Sequence, residues 1–390
     1  MSSIYIHIPF CIAKCGYCNF FSVTDLTLQE QYLAALCKEM RFRTDYLQGQ
    51  PIDTLYFGGG TPSVFSPETI EQIIRQIDIV FHLKSDAEIT MEANPNNLHE
   101  DYFKHLSQTS VNRLSIGIQS FFDENLQVLG RIHNGKQAVH SLELAQKYRF
   151  NNLSIDLMYG YPLLTENQWI ENLKKVQHVN HLSCYSLSLE PHSVLYKQVE
   201  AGKYPLPTEE SVLNQYDILT SFAKNNHFTH YEISNFCKPD KFSKHNTAYW
   251  QNEPYLGLGT AAHSFNLIER QWNIADVKTY VEVLSATHTQ QEWGKIKNKL
   301  SEKEQLTPTM QLNEYLMTSL RTCWGCDLNF VKKQFGESIY LSLQRKVNQL
   351  NTNLYSIEND RLILSESGFL LADAIARDLF FLRSENLSLS

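Results

Sequence analysis

Cysteine is scarce in this chain: eight residues are spread over 390, too few and too scattered for a disulfide-built scaffold. Thiols left reduced fit a cytosolic protein. Long apolar runs are missing too, so no segment approaches a membrane-spanning helix. The residues Met1-Ser2-Ser3-Ile4 carry neither the basic stretch nor the apolar run of a secretory signal. Positive charge is in deficit. With 34 Lys and Arg against 42 Asp and Glu, the formal net charge is −8, which disfavours broad nucleic-acid binding and spares only a local basic patch from the argument. No repeat or low-complexity tract divides the sequence. What is present is ample apolar side chain, 43%, enough to bury a large core. A chain of this length predicts one big domain with a smaller one beside it.

The cysteines gather once. Cys11, Cys15 and Cys18 lie in Cys11-Ile12-Ala13-Lys14-Cys15-Gly16-Tyr17-Cys18, directly after the apolar run from Ile4 to Phe10. They offer three soft thiolates, and no fourth cysteine stands nearby. Thiolates suit zinc or iron-sulfur clusters. Structural zinc takes four closed ligands, whereas a four-iron four-sulfur cube held by three thiolates keeps one iron open to a small chelating ligand. Zinc and plain buried cysteines remain the alternatives on spacing alone. Cys323-Trp324-Gly325-Cys326 has the spacing of a redox pair, a weak signal, and Cys37, Cys184 and Cys237 read as ordinary core or surface residues.

Strand-like segments at Ile4–Ile8, Thr54–Phe57, Glu88–Glu92, Arg113–Ile118, Leu153–Met158 and Leu182–Leu187 alternate with helix-like ones. The helical segments are Leu28–Leu47, Pro67–Val80, Glu100–Leu106, Lys136–Tyr148 and Glu166–Val179. Such alternation predicts an α/β fold, a parallel sheet covered by helices, and fits an incomplete barrel better than a sandwich. Barrel strands deliver active groups at their carboxyl ends. There the sequence places the cysteine loop, Gly58-Gly59-Gly60-Thr61-Pro62, Glu92-Ala93-Asn94-Pro95, Gln119-Ser120 and Asp156-Leu157-Met158-Tyr159-Gly160. The expected organisation is a core over 1–190, an extension over 191–300 and a mostly helical region over 301–390. A strand pair is expected near Leu354–Ser365, with Gly325 and Gly336 marking breaks.

Taken together, the strings resemble the radical S-adenosylmethionine superfamily, in the branch shared by oxygen-independent coproporphyrinogen III oxidases and the related haem chaperones. They are Tyr5-Ile6-His7-Ile8-Pro9-Phe10-Cys11, the cysteine loop, Gly58 to Ser63, Ser115-Ile116-Gly117-Ile118-Gln119-Ser120-Phe121, Leu129-Gly130-Arg131-Ile132-His133, Asp156 to Gly160 and His245-Asn246-Thr247-Ala248-Tyr249-Trp250. The resemblance runs from about residue 4 to about residue 380. The oxidases carry a further cysteine two residues beyond the third, where this chain has Phe20, and the His-Asn-x-x-Tyr-Trp string is typical of the chaperones.

The resemblance implies an incomplete parallel (β/α)6 barrel with a smaller, mixed and mostly helical C-terminal region. Cys11, Cys15 and Cys18 would ligate a 4Fe-4S cluster with S-adenosylmethionine at its open iron. Gly59, Gly60 and Thr61 would frame the methionine portion, and Glu92 would meet the ammonium or the ribose. Gln119 and Asp156 would bond the ribose hydroxyls, and Arg131 the carboxylate. Tyr5 would stand near the sulfonium and Tyr17 against the adenine. The implied reaction is one-electron cleavage of the sulfonium to methionine and a 5′-deoxyadenosyl radical, fed by a reductant such as a flavodoxin or ferredoxin. The implied function is to bind haem and deliver it to a haem-requiring acceptor, membrane-bound or not, in the cytoplasm, with no role for nucleic acid. No Cys-x-x-Cys-His attachment signature is present. His245 is the expected haem ligand, ahead of His192, His230 and His263. The alternatives are oxidative decarboxylation of coproporphyrinogen propionates and a non-catalytic, cluster-containing partner-binding protein.

Overall fold

Successive residues of a strand face opposite ways, and along the first six strands the two faces differ in chemistry. In the computed structural model, which describes residues 1–382, these are β1 (Ser3–Ile8), β2 (Ile52–Gly59), β3 (Leu83–Ala93), β4 (Arg113–Gln119), β5 (Leu153–Tyr159) and β6 (His181–Ser186). One face presents Ile4, Ile6, Ile8, Leu55, Phe57, Met91, Leu114, Ile116, Ile155 and Leu182, all without solvent-exposed surface. They join a single apolar cluster with residues of the covering helices. The opposite face carries Tyr5, His7, Tyr56, Glu92, Arg113, Ser115, Asp156, His181 and Ser183. The barrel is therefore apolar outside, against its helices, and polar within.

All neighbours from β1 to β6 pair in parallel and in sequence order, as a chain of βαβ crossovers requires. The crossovers carry α1 (Gln29–Phe42), α2 (Pro67–Phe81), α3 (Glu100–Leu106), α4 (Asp123–Leu129), α5 (Gly135–Lys147) and α6 (Glu166–Lys175). α2 shows why they form: Ser66 accepts a hydrogen bond from Thr69 N, Pro67 opens the first turn, and Ile70, Ile73, Ile74 and Ile77 repeat at helical spacing on its buried side. Capping boxes at Asn134 and Thr165 start α5 and α6. α1 ends at Phe42 rather than Leu47. Arg43 leaves helical geometry and buries its guanidinium against Gly257 O, Ser264 and Gln271.

Beyond the six strands lie β7 (Thr229–His230), β8 (Asn235–Cys237), β9 (Tyr255–Leu258), β10 (His263–Phe265), β11 (Glu269–Asn273) and β12 (Ser301–Gln305). β9 adds a parallel strand outside β1, and β10, β11 and β12 continue antiparallel from it. At the other edge β8 runs antiparallel to β6 and β7 follows. The sheet order is β12-β11-β10-β9-β1-β2-β3-β4-β5-β6-β8-β7, and its two ends do not pair with each other. The wall is open on one side. α7 (Val194–Glu200), α8 (Glu209–Asn225) and α9 (Lys244–Trp250) accompany the extension.

A second apolar cluster gathers Leu312, Leu316, Leu343, Leu362, Phe369 and Leu379 around β13 (Cys326–Asp327), β14 (Tyr355–Glu358) and β15 (Arg361–Leu364). Gly336 separates two helices, Leu328–Phe335 and Glu337–Val347. Burial pushes the Cys323 thiol up to about 11 and the Cys326 thiol up to about 12, which suits inert structural cysteines better than a redox pair. Described helices include none long and apolar enough to cross a membrane.

Candidate functional site

Backbone bonds to strand ends fix the cysteine loop. Cys11 N donates to Val23 O at 2.9 Å and Val23 N to Pro9 O at 2.7 Å, closing the loop at its base. Gly60 N donates to Ile8 O at 2.7 Å and Thr61 N to Phe10 O at 2.9 Å. A Cβ at Gly60 would lie 2.8 Å from Phe10 O and 3.0 Å from Cys11 Sγ, so only glycine lets the β2 end come this close. The far side is held by α4: Gly16 N donates to Leu129 O at 3.0 Å. Gly130 ends that helix at φ 67°, where a Cβ would meet Gly16 N at 2.8 Å. The Leu-Gly-Arg string thus seats the loop and delivers Arg131 beside it.

A cavity of about 450 Å³ opens over these strand ends. Eleven of the thirteen residues singled out from the sequence line it: Cys11, Cys15, Cys18, Tyr17, Gly59, Gly60, Thr61, Glu92, Gln119, Arg131 and Asp156. Thr61 Oγ1 donates to Cys11 Sγ at 3.3 Å, and Arg131 Nη1 to Cys15 Sγ at 3.3 Å. Arg131 Nη2 also donates to Gly117 O at 2.5 Å. Burial raises the Cys11 and Cys18 thiols, and the neighbouring Cys15 raises both further. A metal that replaces those protons relieves the penalty. No three His, Cys, Asp or Glu side chains among the described residues converge on one point for a single ion. A cube spreads its ligands over different iron atoms, so three thiols on one cavity wall fit a cluster and not a closed zinc site.

The remaining wall is set for a polar organic ligand. Gln119 Oε1 and Arg131 Nε are buried without a hydrogen-bond partner, an arrangement whose cost calls for one. Gln119 holds φ 66°, a left-handed backbone at the point where the β4–β5 register shifts. Tyr56 donates to Glu92 Oε1 at 2.8 Å and Ser115 Oγ to Asp156 Oδ1 at 2.9 Å. Burial raises both carboxyls, Glu92 to about 7. A cation entering here meets one acceptor of each residue already oriented.

Tyr5 and His245 stand elsewhere, beneath the cavity floor. The Tyr5 ring stacks on Tyr56 at 6.1 Å, and Tyr56 stacks on His245 at 4.9 Å. His245 is 1% exposed. Its Nδ1 lies 2.7 Å from Thr54 Oγ1 and its Nε2 2.9 Å from the Tyr249 hydroxyl, so both ring nitrogens are engaged. The expectation of a haem iron on His245 therefore meets a saturated, buried imidazole. Two residues of this region escaped sequence reasoning. His7 Nε2 donates to Phe21 O at 2.9 Å and its Nδ1 accepts from Tyr5, latching the cysteine loop from below. Tyr185 lines the cavity from β6, and its place two residues after Ser183 on the polar face was the available signal.

Residues 5–176 match the model of the Radical SAM superfamily. The chain is 35% identical over 352 residues to the heme chaperone HemW of Bacillus subtilis, covering 87% of this chain and 88% of that one. It is 32% identical over 380 residues to the heme chaperone HemW of Lactococcus lactis, covering 96% of each. Among solved structures, coproporphyrinogen III oxidase (HemN) of Escherichia coli shares the fold with a TM-score of 0.80 at 22% identity, over 97% of this chain and 90% of that one.

Proposed function

The chain belongs to the HemW branch of the radical S-adenosylmethionine superfamily, and on that footing we propose that it binds haem and delivers it to haem-requiring acceptor proteins. The observation that carries this reading is a match running nearly end to end with chains named heme chaperone, rather than one confined to the barrel. The likeness to the oxidase is one of fold alone, and Phe20 occupies the place of the cysteine that the oxidases add.

Bound in the strand-end cavity, a 4Fe-4S cluster with S-adenosylmethionine would supply one-electron chemistry. Cys11, Cys15 and Cys18 are the residues to hold the cluster. Arg131 would turn its free Nε to a carboxylate while its other nitrogens stay on Gly117 O and Cys15. Glu92 and Asp156 would accept from ammonium or hydroxyl groups, and the Gly59–Gly60 backbone would let the ligand lie close against β2. A flavodoxin or ferredoxin would feed electrons, and the cytoplasm is the compartment proposed for the whole.

The test is an anaerobic transfer assay from haem-loaded, cluster-loaded protein to a haem-free acceptor, run beside a variant with all three loop cysteines replaced by alanine. Haem transfer by the wild type, and no change in the mass of coproporphyrinogen III incubated with reductant and S-adenosylmethionine, is expected. A decarboxylated product with turnover would replace this reading by the oxidase one. Transfer that persists in the alanine variant would leave the chaperone and remove any required role for the cluster.

A further inference from the structure

The open side of the barrel wall holds a second cavity, of about 500 Å³. Both ends of the sheet border it: Tyr185 and Asn235 from β6 and β8, and Tyr255, Phe265 and Arg270 from β9, β10 and β11. Tyr185 lines this cavity and the cluster cavity alike. It is 43% exposed. One phenol ring therefore stands between the cluster site and the gap.

Size and charge select the guest. A volume of this order takes a ligand of drug or cofactor size. Arg270 lies 5.6 Å over the Phe265 ring and Arg321 5.9 Å over the Trp250 ring, which places two guanidiniums on aromatic faces at the cavity wall. Arg270 Nη2 pairs with Glu314 Oε1 at 3.1 Å, and its Nε is buried with no partner. Arg321 pairs with Asp373, which is 72% exposed and holds it weakly. Among the described residues the acid lining this wall is Glu232, which is 2% exposed and accepts from Ser234 N at 3.2 Å. The adjacent cavity, about 580 Å³, shares Trp250 and Phe265 and is lined by Glu253, Glu314, Asp327 and Arg361, of which Glu314 pairs with Arg270 and Asp327 with Arg361. With the unpartnered Nε of Arg270 and the weakly held Arg321, the gap offers a flat aromatic dianion the better contacts of the two. Among the described residues no imidazole or thiol lines the gap, and its soft donor for iron is the Met317 thioether.

We propose that the gap cavity is the haem site, with the propionates on Arg270 and Arg321, the macrocycle against the Trp250 and Phe265 rings, and Met317 as the side chain that reaches the iron. This rests on the chaperone reading above and replaces His245 as its ligand. The charge-assisted bonds of the guanidiniums set the affinity, and the thioether sets the iron's spectrum.

Absorbance titrations of the full chain with haem and with iron-free protoporphyrin separate the two contributions. Arg270→Gln with Arg321→Gln is expected to weaken both ligands, by roughly 100-fold for two charge-assisted contacts, and the Lys replacements at the same positions to restore part of that. Met317→Leu is expected to shift the haem band and weaken haem while leaving protoporphyrin affinity unchanged. Arg361→Gln, in the neighbouring cavity, is the control that changes neither. Wild-type affinity and an unshifted haem band in the Gln and Leu variants would overturn the assignment while the chaperone reading survives. Failure of the wild type to bind haem at all would sink both. A variant with a lowered thermal midpoint is judged on its Lys counterpart, where restored binding supports the site and unrestored binding in a folded protein refutes the arginines.

Discussion

Glu92 holds its carboxyl pKa at about 7 from an ordinary 4.5: burial raises it, the Tyr56 hydrogen bond opposes, and Asp156 raises it again. An acid whose folded pKa lies above its unfolded one keeps its proton in the folded chain between the two values. Its contribution to stability is present below about 4.5 and lost as pH climbs through about 7. The loss amounts to roughly 3 kcal/mol at most. Urea denaturation of the ligand-free protein across that window should show this decline in the wild type and a flatter profile in Glu92→Gln. Under the cofactor assignment, binding of S-adenosylmethionine near neutrality should also release protons, measured by calorimetry in buffers of different ionisation enthalpy. The release should vanish in the same variant. An unchanged release would move the cation away from Glu92. At the residue scale the sequence marked a three-thiol loop and a glycine run after a strand, which the fold brings to one cavity, while their spacing alone left zinc and a plain turn open. It was silent on His7, because a latch between a side chain and Phe21 O has no local pattern.

At the scale of elements, α9 carries the His-Asn-x-x-Tyr-Trp string that the sequence singled out, and the fold gives its histidine a structural place. Its first turn is capped by Ser243. His245 N donates to Glu88 Oε1 at 3.1 Å while the imidazole bridges Thr54 and Tyr249, so the helix bonds directly to β2 and β3. Burial lowers the His245 pKa to about 3, which keeps the ring neutral in that bridge. His245→Ala should therefore cost about 2–4 kcal/mol of folding stability by removing two buried hydrogen bonds and leaving their partners unpaired. Thermal unfolding checks the loss, and the haem band at saturation should match the wild type. A lost band in a stable variant would return His245 to the ligand set. A histidine beside tyrosine and tryptophan looks like a haem contact in one dimension, and only the fold reveals that a distant Thr54 has already taken its free nitrogen. The six core strands were legible because each sets apolar residues at alternate positions between turn residues and alternates with a helical segment. β9 to β12 were not, since short edge strands such as Ser301-Glu302-Lys303-Glu304-Gln305 bury little and carry no apolar period. α4 was also missed, although α3 of the same seven-residue length was read.

The whole molecule is tied across its first helix by one carboxylate. Glu39, 2% exposed, accepts from Tyr280 Oη at 2.6 Å, Gly259 N and Asn273 Nδ2 at 2.8 Å each, and Arg43 Nη1 at 3.3 Å. Those partners come from the residue just past α1, the turn after β9, β11 and the helix Val277–Ser285. Removing one member of a buried pair strands the other, at about 3–5 kcal/mol. Glu39→Ala should thus loosen β9 to β11 before the six-stranded core. Limited proteolysis is expected to nick the variant between Leu258 and Ser301 sooner than the wild type. Equal rates would show that the extension stands without this tie.

The unclosed sheet also sets a clock. A sealed barrel would release a guest only when a ladder of backbone bonds broke together, an opening that takes microseconds to seconds. Across the gap no ladder joins the two sheet ends, the opening is lined by side chains such as Tyr185, Tyr255 and Met317, and accessible side chains turn over in picoseconds to nanoseconds. Whatever lodges there leaves when its own contacts let go, at a rate that an acceptor competing for those contacts can govern and that the stability of the barrel does not.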